Sequence, residues 1–140
     1  MSFDLTEYAD AVNSALAQGT PCVLATAGAD GTPDIGFKGS MMVFDKDRLA
    51  YWERTQGGHL ENLRQSPKVA VMYFNRDRGL YLRLYGRATI YEEGPTREQI
   101  MARVVPAELE YDPERKGFGV LIDVDTVSEP FGRGTLRRAG

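Results

Sequence analysis

Thr55-Gln56-Gly57-Gly58-His59-Leu60-Glu61-Asn62-Leu63-Arg64 is the stretch whose residue types and order could hold an anion. Gly57 and Gly58 allow positive φ and close approach of the backbone, and the residues after them have room for about two turns of helix before Pro67. A helix that opens from a glycine pair aims free N–H groups, and the positive end of its dipole, at whatever lies in front of it. His59 and Asn62 are spaced i, i+3 and share one side of such a helix, while Leu60 and Leu63 share another. The leucines are then expected to enter the core while the polar pair meets a ligand. The same residues also fit a plain connecting turn in which His59 is only a polar cap.

A second pair lies upstream. The run Ile35-Gly36-Phe37-Lys38-Gly39-Ser40-Met41-Met42-Val43-Phe44 reads as a strand interrupted by glycines, which weaken strands unless a ligand or another backbone comes close. Lys38 and Ser40, two apart, would project from one face and could contact phosphate or ring oxygens. An exposed lysine on a half-solvated strand is the ordinary alternative. No Ser/His/Asp set, Cys/His pair or zinc-ligand cluster can be assembled from one histidine and one cysteine. Cys22 sits in the apolar run Pro21–Ala27 and reads as a buried, inert thiol. The chain is therefore expected to supply neither a catalytic side-chain constellation nor a metal site.

The elements that must position these groups follow from pattern. The 140 residues, 42% hydrophobic and 26% charged, read as one domain spanning 1–140. A net charge of −3 argues against nucleic-acid binding, which needs a basic field. No run is long and apolar enough for a membrane helix, and Met1-Ser2-Phe3-Asp4 lacks the pattern of a secretory leader, so a soluble cytoplasmic protein is expected. Leu5, Tyr8, Val12, Ala15 and Leu16 recur at helical spacing within residues 1–19. Strands are expected from Pro21 to Ala27, across an Asp30-Gly31 turn into Thr32–Phe37, and then at 48–53, 68–74, 80–91 and 118–125, with a bulge at Gly86. A helix should follow Gly94-Pro95, with Thr96 and Gln99 at capping-box spacing, and Pro106 to Lys116 reads as an irregular, solvated acidic segment. The tail from Glu129 to Gly140 is expected to be flexible, or to reach a ligand or a partner subunit. Six or seven largely antiparallel strands with flanking helices make a small β-barrel.

The order Pro21-Cys22-Val23-Leu24-Ala25-Thr26, Asp-Gly turn, Gly/Ser-containing strand, Leu49-Ala50-Tyr51-Trp52 and His59-Leu60-Glu61-Asn62-Leu63-Arg64-Gln65-Ser66-Pro67-Lys68-Val69-Ala70-Val71 resembles the pyridoxamine 5′-phosphate oxidase-like family. The small FMN-binding proteins of that family are closest in length. The resemblance implies a six-stranded antiparallel split barrel of Greek-key type. It also implies a homodimer that holds FMN at the subunit interface, with a small-molecule electron donor or substrate. On that pattern Phe37, Lys38, Gly39, Ser40, Met41 and Met42 would run beside the flavin ring. Tyr51, Trp52 and Glu53 would line the ring and ribityl chain, and Gly57, Gly58, His59 and Asn62 would hold the phosphate. The flavin would carry the redox chemistry of an oxidoreductase. Two other readings go with the same barrel: a flavin-binding or electron-transfer module without its own substrate, and a deazaflavin-dependent reductase. The oxidases proper carry a longer carboxy-terminal segment with histidine and basic residues, whereas His59 is the one histidine here, so vitamin B6 oxidation is not the expected activity.

Overall fold

The chain enters its sheet through a short helical segment, Leu5–Tyr8 as a 3-10 turn and α1 (Ala9–Asn13). The computed structural model describes residues 1–55 and 57–140, so Gln56 of the glycine-rich stretch lies outside the described residues. Then come β1 (Cys22–Ala27), β2 (Pro33–Lys38), β3 (Met42–Val43), β4 (Arg48–Glu53), α2 (Gly58–Gln65), β5 (Lys68–Asn75) and β6 (Leu80–Tyr91). α3 (Pro95–Arg103), α4 (Pro106–Leu109), β7 (Phe118–Glu129) and β8 (Gly134–Arg137) complete the chain. All strand pairs are antiparallel, in the order β2-β1-β5-β6-β7-β4-β3, with β8 added beside β7. This is the expected curled barrel with flanking helices, built from eight strands rather than six.

The two extra strands have local causes. The glycine-punctuated run does not continue as one strand: it stops at Lys38, turns with Met41 N–H on the Lys38 carbonyl at 3.2 Å, and resumes as the two-residue β3. At the other end, the segment expected to be a flexible tail pairs Thr126–Glu129 with Gly134–Arg137 and buries Leu136 completely. The amino-terminal helix is also shorter than its periodicity suggests. Ser14 Oγ bonds the Asp10 carbonyl at 2.6 Å, a competing side-chain arrangement that helps end α1, and Gly19 closes the segment at φ +74°. α3 likewise begins from Gly94 at φ +94° with no side-chain cap, so Thr96 lies inside the helix.

Two cores share the sheet. One fills the barrel with Leu5, Leu24, Tyr51, Tyr73, Leu82, Val120 and Val124. The other packs α3, through Ile100 and Val104, on Met42, Ala50, Trp52 and Leu121. Each fully buried aliphatic side chain is worth roughly 1.5–3 kcal/mol of transfer free energy, so the alternation along β4 ties the helix to the barrel. Among the described residues no element covers the remaining outer face, over β2, β1, β5 and β6. This leaves Ile35 and Phe37 strongly exposed, at 71% and 72%, with Met72, Phe74 and Tyr85 also exposed. Among the described residues no helix is long and apolar enough to cross a membrane.

Candidate functional site

Three chain ends converge beside that apolar face: the end of β2, the end of β4 and the start of α2. Between β2 and β3 the Ser40 hydroxyl accepts from Trp52 N–H at 2.9 Å and donates to the Trp52 carbonyl at 3.3 Å, which fastens the turn to β4. The result is a cleft of about 90 Å³ lined by Phe37, Lys38, Gly39, Ser40, Trp52, Glu53, Arg54, Thr55 and Glu108. Lys38 and Ser40 thus meet at one cleft, but from a strand end and a buried turn rather than from one strand face.

Charge in the cleft is already paired. Lys38 Nζ lies 3.0 and 3.1 Å from the two oxygens of Glu53, and Glu53 Oε2 also accepts from the Thr55 hydroxyl at 3.0 Å. Glu53 is 1% exposed, so its carboxylate depends on these donors for solvation. Arg54 faces Glu108 at 3.4 Å and stacks on the Tyr111 ring, 4.6 Å from its centroid. Gly39 lies under Glu108, whose carboxylate occupies the space a Cβ would need.

The start of α2 is a glycine pair, as its sequence suggests, with Gly57 as cap residue and no capping side-chain hydrogen bond. Leu60 and Leu63 enter the core. His59 and Asn62 share one side of the helix, but that side meets β1: Asn62 Nδ2 donates to Thr26 Oγ1 at 3.0 Å, and Thr26 Oγ1 lies 2.7 Å from His59 Nδ1. Burial, and then the nearby Lys38 charge, lower the His59 pKa, while Asp34 and Glu53 oppose them. Both lowering effects favour the neutral imidazole. Thr26 can then donate to Nδ1, leaving the ring hydrogen on Nε2, which packs over Gly36. A Cβ at Gly58 would lie 3.1 Å from Asp34 Oδ2, so a carboxylate flanks the helix start.

The remaining candidates are placed as walls. Tyr51 and Trp52 are both buried and point to opposite sides of β4, Tyr51 into the barrel and Trp52 toward α3. Met41 and Met42 divide in the same way. Period-two alternation makes this unavoidable for Tyr51 and Trp52 in β4, while Met41 immediately precedes β3. Two contributors come from the acidic segment expected to be solvated. Asp112 is buried and accepts from Trp52 Nε1 at 2.8 Å, Gly117 N–H at 2.8 Å and Lys116 N–H at 2.9 Å, while Glu108 covers Gly39. These bonds hold the Asp112 pKa below the usual carboxylate value against the opposing effect of burial, which is the largest single influence. No spacing in that segment distinguishes Asp112 from its acidic neighbours. Thr26 did have a signal, because a polar residue at an inward position of an apolar strand asks for a partner.

A family model described as pyridoxamine 5′-phosphate oxidase matches residues 8–126. Among solved structures, the chain is similar to HupZ of Group A Streptococcus, with 28% identity, TM-score 0.68, and 96% of this chain and 98% of that one covered. It is also similar to an FMN-binding protein of Syntrophomonas wolfei, with 16% identity, TM-score 0.67 and coverage of 89% and 87%. An F420 reductase shares 21% identity at TM-score 0.56, over 78% of this chain and 89% of that one. The last two likenesses are of fold. No curated protein matches the chain.

Proposed function

Because the chain belongs to the pyridoxamine 5′-phosphate oxidase family, matched over residues 8–126, we propose that it is an FMN-binding flavoprotein. In this reading two copies form a homodimer and pass hydride or electrons between small-molecule partners. The observation that carries the reading is a cleft built by the β2 end, the Ser40-fastened turn and the β4 end, with the uncapped start of α2 set beside β2 at Asp34 and Gly36 and an exposed apolar face at its rim. A flavin supplies the redox chemistry when bound. The chain's own part is positional. Backbone at Gly39–Ser40 and Glu53–Arg54 presents hydrogen-bonding groups to a planar ring, the wall of Trp52 excludes water, and the N–H groups opening α2 face the polar end of the ligand. Glu108 must swing away from Gly39 for a ring to approach that backbone, turning about its contact with Arg54.

Ile35, Phe37, Met72, Phe74 and Tyr85 supply apolar surface for the second copy. A deazaflavin with its polyanionic tail is less well served, since Glu53 and Glu108 line the cleft and Asp34 flanks the start of α2.

The test is the visible spectrum of the purified protein together with titration of added FMN. We expect a flavin spectrum, or saturable quenching of FMN fluorescence, and a sedimentation mass of two chains. A colourless protein that leaves FMN fluorescence unchanged refutes the reading. With flavin bound, mixing with NADH or NADPH without oxygen separates a reductase, which bleaches, from a passive carrier.

A further inference from the structure

We propose that Arg83 of one copy crosses the dimer interface and supplies the cation for the anionic group of the flavin held in the other copy's cleft. This rests on the dimeric flavoprotein reading above. The first observation is a shortage of free charge at the cleft. Lys38 is engaged by Glu53 at 3.0 Å, Arg54 by Glu108 and Tyr111, and Asp34 already flanks the start of α2. The helix N–H groups can hold a phosphate, but no uncommitted cation stands beside them among the described residues of the same copy.

The second observation is a cation in the wrong surroundings. Arg83 lies on the outward side of β6 and lines an apolar cleft of about 180 Å³ with Val23, Ala25, Ile35, Met72 and Tyr85. Its guanidinium stacks on the Tyr81 ring, 5.2 Å from the centroid, and among the described residues it has no carboxylate within 4.0 Å. Arg87, four residues on and on the same side, differs: it holds Asp125 through two hydrogen bonds of 2.9 and 3.1 Å. Covering this face strips water from Arg83, which is costly unless an anion meets it.

Symmetry decides where the anion is. The strand registers set Phe37 beside Val23, Val23 beside Met72 and Met72 beside Arg83, so these four form one row across the sheet. Two copies packed face to face share a two-fold axis in the plane between the sheets, and a centred contact puts it at the middle of the row. An axis running across the strands would set each Arg83 against its counterpart and bury like charges together. An axis along the strands reverses the row and brings Arg83 opposite Phe37, the residue before Lys38 and the rim of the cleft. There the anionic end of a ligand is available as its partner. A bidentate guanidinium suits phosphate better than the engaged Lys38.

The experiment titrates FMN and riboflavin separately into the wild-type protein and into Arg83→Gln by flavin fluorescence, with sedimentation of each sample. The expected result is FMN binding weakened about tenfold or more in Arg83→Gln, riboflavin changed by less than about twofold, and both proteins dimeric. Equal losses for the two flavins, or unchanged FMN affinity, overturn the proposal. So does dissociation of Arg83→Gln into monomers, which would mean that Arg83 meets a protein carboxylate at the interface. If the wild-type protein binds neither flavin, the flavoprotein reading itself falls and takes this inference with it; the other outcomes leave that reading standing.

Discussion

Gly86→Ala is expected to lower stability by about 3 kcal/mol, seen as a fall in melting temperature of about 10 °C. β6 and β7 lose register between Tyr85 and Gly86, and Gly86 then lies opposite Val124. A Cβ there would overlap the Asp123 carbonyl oxygen and come within 2.9 Å of the Asp123 carbonyl carbon and 3.1 Å of Val124 Cα. All three atoms are backbone in a paired strand, so no rotamer change relieves the overlap. One strand must move, and β6 and β7 form the longest pairing in the sheet. Gly39→Ala is the informative contrast. Its Cβ would overlap only the end of the Glu108 side chain and press Leu16 at 3.2 Å, so its effect on melting should be small. If both variants melt within about 3 °C of the wild type, the close approach at the bulge is wrong.

Glu129→Gln should cost about 3 kcal/mol at neutral pH and reduce the protein's stability change between pH 4.5 and 2 by a similar amount. Glu129 is 9% exposed and accepts from Tyr8, from Arg133 Nη2 at 2.8 Å and from the Arg133 backbone N–H at 3.0 Å. Arg133 also reaches Tyr8 and Glu7, so this group joins the amino-terminal helix to the β7–β8 hairpin. Bonding by Arg133, then by Tyr8, outweighs burial and pulls the carboxyl from 4.5 down to about 2. Because the folded pKa is the lower one, the unfolded chain binds the proton first. The stabilisation is complete above pH 4.5 and is lost as pH falls toward 2, each tenfold difference in proton affinity between the folded and unfolded chain being worth about 1.4 kcal/mol. Urea midpoints at pH 7, 4.5 and 3 test this. Parallel curves for wild type and Glu129→Gln across that range would show that Glu129 is not the group responsible.

The residues made the sheet legible wherever alternation was clean. β5 and β6 bury every second side chain along most of their length, and the glycine that breaks the pattern in β6 marks the bulge. The glycines at 36 and 39 suggested close approach by a ligand or another backbone, whereas the near neighbours are side chains: a histidine ring over one and a glutamate over the other. Local sequence cannot report such tertiary neighbours. The same holds for Lys38, which looked like a free cation because the strand that carries Glu53 comes beside it only after folding. Leu136 shows the opposite error. A single apolar residue in a basic tail carries no period, yet β7 offers an open edge, and pairing there buries it completely.

The wall that Trp52 forms has one more use. Trp52 is the sole tryptophan of the chain, held rigidly by Asp112 at 2.8 Å and forming part of the cleft lining. Emission from its indole overlaps the absorption of an oxidised flavin, and a ring seated against the same cleft would lie well within the range of energy transfer. Occupancy of each cleft can therefore be followed in the unlabelled protein from the light this one side chain ceases to emit.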